Sequence, residues 1–407
     1  MRIPFRIALF LVLAGSLPAR AEPPSPLAAY FAQAWARQPA AAALADRERA
    51  QAARVAVAEA WTAAAPALEI AGRTDRFNRD RGAGEVELGV ALPLWLPGER
   101  DGRQRLAQAT NSLERERLIA LQWQLAGELR ERWWRWHLAR EEVRALAGQV
   151  AAAQTLRDDV LRRVKAGDLA PADGNLAEGN LASLQADAAD ADAQADAAAL
   201  QLTALLGELP LDAQAHSEMA AAEPTAADGL ERHPALRVLR AQAESAAQRQ
   251  QLARVQRSAA PELMIATRRE RSASGDPVDQ SWSLGLRVPL DAGARREGVL
   301  ADAAAEHTEA QLALVRERER LQLGLRQALA AERAVQRRLQ ASEVRERLAN
   351  ENLAWYDQAF RLGESDLPTR LRAATEAFAA TRAVQRARLQ LAASISATRQ
   401  AMGLLPE

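Results

Sequence analysis

From residue 85 to residue 94 apolar and polar positions alternate strictly, with Val86, Leu88, Val90, Leu92 and Leu94 on one side and charged or small residues on the other. Residues 281–290 repeat the pattern, setting Trp282, Leu284, Leu286, Val288 and Leu290 against Ser283, Gly285 and Arg287. A period of two with one apolar face predicts strands, and two more fall at 67–77 and 262–271. Beyond each strand pair the period lengthens. Residues 99–165 and 294–366 hold no proline, and apolar residues there recur mostly three or four apart, as in Leu321, Leu325, Leu329 and then Val335, Leu339, Val344 and Leu348. That is a narrow seam suited to antiparallel coiled-coil partners. At 1.5 Å per residue, about 65 residues make a rod about 100 Å long, many times the mean globular helix.

The elements come twice. Gln38-Pro39 matches His233-Pro234 and Pro66-Ala67-Leu68 matches Pro261-Glu262-Leu263, both at an offset of 195 residues. Leu92-Pro93-Leu94 matches Val288-Pro289-Leu290, Gly167 matches Gly363, and Leu206-Gly207 with Pro210 matches Met402-Gly403 with Pro406, all at 196. One residue of drift over such a distance marks a tandem repeat. Each half reads helix, two strands, long helix, turn, helix. The first, 22–210, is expected to hold a short helical stretch at 39–64, strands at 67–77 and 85–94, and helices at 99–165 and 171–206. The second, 232–407, is expected to hold a helical stretch at 234–259, strands at 262–271 and 281–290, and helices at 294–361 and 368–402. Residues 211–231, polar and containing Pro224 and Gly229, read as the linker.

One apolar strand face suits a soluble sheet with a buried side or a barrel strand with lipid outside and water inside. Four strands cannot close a barrel, and an open edge in lipid is prohibited by its unpaired backbone groups. The membrane reading therefore requires several chains to share one barrel. The connections 78–84 and 272–280 would then face the exterior, and the helix ends at Ala64, Gly98, Ala260 and Gly293 the periplasm. Trp61, Trp95 and Trp282 sit near strand ends, where an aromatic belt would put them.

Arg2 and Arg6 precede the apolar run 7–17, and Ala19-Arg20-Ala21 follows, so residues 1–21 read as a secretory signal peptide. No later stretch approaches the roughly 20 apolar residues of a spanning helix. The chain has 0 cysteines, which excludes disulfides, thiolate metal sites and a lipid anchor on cysteine. Without Arg2, Arg6 and Arg20 the formal charge falls from 0 to about −3, leaving no basic surplus for nucleic acid.

A signal peptide, two tandem halves and two glycine turns between very long helices resemble the TolC-like outer-membrane efflux proteins over residues 27–406. Gln38-Pro39 and Arg232-His233-Pro234 resemble the family's Asn-Pro starts, and Leu92-Pro93-Leu94 and Val288-Pro289-Leu290 its strand-exit Pro-Leu signature. The turns 164–169 and 360–367 look like the tip turns that meet a periplasmic adaptor protein, which implicates Lys165, Gly167, Asp168, Leu169, Gly363, Glu364, Asp366 and Leu367 in docking. The resemblance implies a mainly α fold with a small β part: a helical coiled-coil tunnel below a twelve-stranded barrel, shared by a homotrimer with four transmembrane strands per protomer. It also implies the outer membrane of a Gram-negative bacterium, with outer-membrane lipid, a periplasmic adaptor and an inner-membrane pump as partners, and neither cofactor nor enzymatic activity. The compact layout, without cysteine at the mature start, looks most like the heavy-metal (cobalt-zinc-cadmium type) subgroup, whose cargo would be metal cations moved by a proton-driven pump. The family's closed pore often has acids near the tip; Asp168, Asp173, Glu364 and Asp366 are the candidates, whereas Thr369 and Arg372 stand where some members carry acids.

His137, His216, His233 and His307 are scattered and lack the i, i+4 spacing of a helical metal site. The run Arg132-Trp133-Trp134-Arg135-Trp136-His137 is mid-helix in a chain with no basic excess and reads as packing at the tunnel's equator, not base stacking. No nucleophile elbow, phosphate loop or zinc-hydrolase motif appears, so no residue is nominated for catalysis. Three readings remain: a duct for metal export, a duct for organic compounds or type I protein secretion, and a secreted periplasmic coiled-coil scaffold with a small soluble sheet.

Overall fold

The computed structural model describes residues 26–78, 80–210, 214–215, 217–221, 230–256, 258–290 and 293–406. The signal peptide expected at 1–21 lies outside the described residues, as does much of the expected linker, with His216, Pro224 and Gly229.

The described chain starts with α1 (Pro26–Ala36), an element the period analysis does not announce. The stretch expected as one helix at 39–64 is two, α2 (Pro39–Ala42) and α3 (Leu44–Glu59). After α3 the backbone turns extended at Ala60, and the Ala63 amide bonds the Pro93 carbonyl at 3.0 Å, tying the entry to the sheet. There follow β1 (Ala67–Thr74), β2 (Gly84–Pro93), α4 (Glu99–Ala166), α5 (Pro171–Leu206), α6 (Pro234–Val255), β3 (Glu262–Arg271), β4 (Asp279–Arg287), α7 (Gly293–Arg361) and α8 (Leu367–Ala401).

Several expected boundaries change, three of them with a clear cause or consequence. β1 stops at Thr74, not residue 77, because the Asp75 carbonyl accepts the amides of Asn78 and Asp80 and turns the chain. β4 spans 279–287 instead of 281–290: pairing already starts at Asp279 with Glu270, and Pro289 has no amide to extend the ladder. Trp282 therefore sits within β4, not at its end. α6 ends at Val255, short of residue 259.

The strands form one antiparallel sheet in the order β1-β2-β3-β4, so the hairpins of the two halves join through β2 and β3. Helix α4 packs on α3 and α6 toward the sheet and on α5 and α8 toward the turns, while α7 packs on α6 and then α8. At about 1.5 Å per residue, α4 and α7 are each about 100 Å long. Among the described residues no helix is long and apolar enough to cross a membrane. The largest core lies midway along α4, where Leu125, Leu129, Trp133, Trp134 and Trp136 meet Leu27 and Ala34 of α1, Leu202 and Leu206 of α5, and Ala392 of α8. The tryptophan run is thus equatorial packing, and α1 exists because this cluster supplies it an apolar seat.

Candidate functional site

The register divides the sheet into two unlike faces. Leu68 pairs with Val90, Val90 with Ile265, and Ile265 with Leu284, while Ile70, Leu88, Thr267 and Trp282 form the next rung of the same face. These apolar side chains are bare: Ile70 is 70% exposed, Trp282 73% and Leu284 74%. The strands are 8, 10, 10 and 9 residues long, close to the roughly 9–11 that cross a bilayer at a barrel tilt. The opposite face carries Glu69, Arg73, Glu85, Glu87, Glu262, Arg268 and Glu270, with Arg268 bridging Glu85 at 2.9 Å and Glu87 at 3.3 Å. An apolar face left exposed beside a charged one fits a wall between lipid and water. Of the three expected belt tryptophans, Trp61 and Trp282 are exposed, whereas Trp95 donates its indole N–H to the Ala60 carbonyl at 3.1 Å and braces the strand-to-helix junction.

Among the described residues the chain is open on both flanks at every level. Across the sheet the order runs β1 to β4; below it, α3-α4-α6-α7; nearer the turns, α5-α4-α8-α7. One flank is thus β1, α3 and α5, and the other is β4 and α7. The outer edges of β1 and β4 have no strand partner among the described residues. The α7 flank exposes Leu312, Leu323, Val344, Leu348 and Trp355.

The two turns at the far end share one construction. Gly167 has φ +84°, its amide bonds Val164 and the Asp168 amide bonds the Arg163 carbonyl. Gly363 has φ +76°, with its amide on Phe360 and the Glu364 amide on Ala359. Both are Schellman endings, in which glycine takes the left-handed conformation and the last carbonyls are satisfied. A shared cluster binds the turns together: Val160 and Ala177 of the first half meet Phe360 and Leu367 of the second, flanked by Val164, Leu169 and Leu371. Arg370 adds a bond to Asp357 at 2.6 Å.

Among the expected docking residues, Lys165, Gly167, Asp168, Gly363, Glu364 and Asp366 are exposed at this end. Leu169 is half-buried, and Leu367, 1% exposed, lies inside the tip cluster and holds the two turns together instead of presenting its side chain outward. The exposed apolar side chain of the second turn is Leu362, at 65%. Of the candidate gate acids, Asp168 and Glu364 are exposed, with no side-chain ion pair among the described residues, whereas Asp173 and Asp366 serve as helix caps. Asp173 accepts the Ala170 amide and Asp366 the Thr369 amide. The hydroxyl and amide of Thr369 hold the Asp366 carboxyl below the usual carboxylate range.

Residues 217–221, expected as polar linker, contain the most deeply buried ion cluster among the described residues. Glu218 accepts two bonds from Arg130 of α4, at 2.9 and 2.7 Å, and lies 3.3 Å from Arg399 of α8. Arg130 also donates to Gln400 and the Leu404 carbonyl, and Arg399 to the Met219 carbonyl. All three charged side chains are buried. The contact fastens one half to the other at the equator, where Trp134 also donates to Ser396 at 2.9 Å. No sequence period could announce it, because a single acid in a polar segment carries no pattern. Nearby, buried His233 caps α6 by accepting the Ala235 amide at Nδ1, with its ring edge-on to Trp123. Burial pushes its pKa down to about 4. Among the described residues no group of three or more His, Asp or Glu is placed to hold a metal ion.

No family model matches the chain. The cobalt-zinc-cadmium resistance protein CzcC of Cupriavidus metallidurans is 27% identical over 227 residues, 54% of this chain and 53% of that protein. The match thus spans about half the length of this curated relative. A membrane protein from Pseudomonas aeruginosa superposes with a TM-score of 0.77 at 18% identity, covering 93% of each chain. The CmeC outer membrane channel of Campylobacter jejuni gives 0.75 at 13% identity, covering 99% of this chain and 93% of that one. VceC, an outer membrane protein of Vibrio cholerae, gives 0.73 at 16%, covering 94% and 97%. The chain has the fold of the TolC-like outer-membrane channels, as the order of its elements led one to expect.

Proposed function

We propose that this chain is a protomer of an outer-membrane efflux channel, a passive conduit and not an enzyme. The observation that carries the proposal is the sheet: an apolar face exposed across all four strands, a charged opposite face, and two open edges, set on helices about 100 Å long. A soluble scaffold would bury that face, and nothing among the described residues covers it. The fold shared with CmeC and VceC supports placement in the outer membrane of a Gram-negative cell, with the helices in the periplasm. Three protomers, each giving four strands, would close a twelve-stranded barrel of the size such proteins use.

The partial match to CzcC favours metal cations as cargo over organic compounds or secreted protein. A wide duct need not coordinate its cargo, so selection would rest with an inner-membrane pump, for which a proton-driven one is proposed. An adaptor would dock at the turns through Lys165, Asp168, Leu362 and Glu364, with the exposed Asp168 and Glu364 carboxylates placed to ring a closed pore. Membrane fractionation and mass determination of the detergent-extracted protein test the architecture. An outer-membrane species of three chains supports it; a soluble monomer sinks it. Loss of zinc, cobalt or cadmium tolerance on deletion of the gene tests the cargo, and unchanged tolerance to all three refutes the metal reading.

A further inference from the structure

The apolar face of the sheet does not end alike at its two limits. Toward the helices its last rung is Leu92, Leu263 and Leu286. Toward the loops the same face runs Ile70, Leu88, Thr267 and Trp282, then Gly72, Val86, Arg269 and Gln280, then Thr74, Gly84 and Arg271. Two arginines therefore stand on the lipid side, two residues apart on β3 and about 6.6 Å apart along the strand. Both are exposed. Arg269 has no carboxylate within 4.0 Å among the described residues, and Arg271 is aimed by a bond from its Nε to the Gly82 carbonyl at 3.3 Å. The β1–β2 connection adds exposed Arg76 and Arg81, and Phe77, which is 94% exposed.

Of the acids at this end, Asp80 and Asp276 are exposed in the two loops, off the strand face that carries Arg269 and Arg271. Glu270 and Asp279 are paired on the opposite face, where Arg268 approaches Glu270 at 4.0 Å, and Asp75 accepts the Arg81 amide. Arginine pairs with phosphate through parallel N–H bonds, and a basic rim bordering an apolar band is the arrangement that captures anionic lipid headgroups. The aromatic Trp282 just below the rim fits the boundary between acyl chains and headgroups.

We propose that Arg269 and Arg271, with Arg76 and Arg81 beside them, bind the phosphate groups of a phosphorylated glycolipid in the leaflet that surrounds the loop end of the barrel. The inference rests on the outer-membrane reading above, which places those loops outside. It gives the barrel a fixed vertical register, since the headgroup contact lies at one end only.

The full-length protein in dodecyl maltoside would be titrated with bis-phosphorylated lipid A and with its dephosphorylated form, and bound lipid counted by native mass spectrometry. The wild type should bind the phosphorylated form about ten-fold more tightly, as expected for charge-assisted pairs. Arg269→Gln with Arg271→Gln should abolish that preference, and Arg269→Lys with Arg271→Lys should keep most of it. Equal binding of both lipids by the wild type, or an undiminished preference in the glutamine variant, would overturn the proposal. So would displacement of lipid A by millimolar inorganic phosphate, which would mark a free-anion site instead. The mass of the same preparation separates the two readings. A soluble monomer would sink both, whereas a detergent-requiring oligomer indifferent to headgroup phosphate would sink this one alone.

Discussion

Replacing Glu218 by Ala removes the carboxylate from a buried site that holds Arg130 and Arg399. The three side chains are 3%, 4% and 3% exposed, and Glu218 reaches the guanidiniums at 2.7, 2.9 and 3.3 Å. Breaking such a pair leaves uncompensated charge in low dielectric and costs about 3–5 kcal/mol, against a typical domain stability of about 5–15 kcal/mol. Glu218→Gln keeps the shape but points an amide NH2 at a guanidinium, so its cost should fall near the lower end of that range. Urea unfolding in detergent, followed by tryptophan fluorescence, reads the effect where it arises, because Trp123 and Trp134 adjoin the site. A triple variant, Arg130→Met with Glu218→Leu and Arg399→Met, should recover most of the loss, since replacing a whole buried ion cluster by apolar groups is often neutral or stabilising. A loss below about 1 kcal/mol in Glu218→Ala, the scale of a solvated surface pair, would refute the claim that this contact fastens the halves.

His233 supplies a pH dependence. Its folded pKa of about 4 lies below the ordinary histidine value of 6.5, so its contribution is complete above pH 6.5, falls as the pH drops and is gone below pH 4; the melting temperature of His233→Asn, which keeps an N-cap acceptor, should depend less on pH across that window. Gly167→Val with Gly363→Val forces a branched side chain to positive φ, costing of order 1–2 kcal/mol at each turn; tip docking and export should fail while outer-membrane assembly persists, and unimpaired metal tolerance would count against docking there. Trp134→Phe removes the bond to Ser396, a residue 0% exposed, and should lower stability by about 1–3 kcal/mol in the same urea assay.

The sequence was legible where a period repeats. The strict alternation at 85–94 fixed which residues of β2 share a face, and the 196-residue offset between Gly167 and Gly363 located two turns that prove to have the same Schellman geometry. Features resting on single contacts were not legible. α1 is short and takes its seat from the Trp133 cluster, β1 ends where one aspartate carbonyl turns the chain, and Glu218 gains its role only when α4 and α8 converge on it. Leu367 shows the same limit at the tip, because position within a turn does not tell whether a side chain points out or into the shared cluster.

The two open flanks match each other in side-chain size, and the match bears on how copies would associate. On α7, Val344, Leu348 and Trp355 form one exposed stripe at intervals of four and seven residues. On α5 the exposed stripe Leu176, Gly179, Ser183, Ala186, Ala193 and Ala197 is mostly small. Measured from the turns at 1.5 Å per residue, Trp355 stands at about 9 Å and Gly179 at about 12 Å, Leu348 at about 20 Å and Ser183 at about 18 Å, Val344 at about 26 Å and Ala186 at about 23 Å. An α7 stripe set against an α5 stripe therefore puts large residues into small ones and lets the helices approach to normal packing distance, about 8–10 Å. Two α7 stripes facing each other would oppose bulk with bulk, and two α5 stripes would leave voids. Either symmetric pairing would also bring β4 to β4 or β1 to β1 and leave the remaining sheet edges unpaired in lipid. Head-to-tail association satisfies both flanks and both strand edges at once, and such contacts continue until the rotation closes a ring.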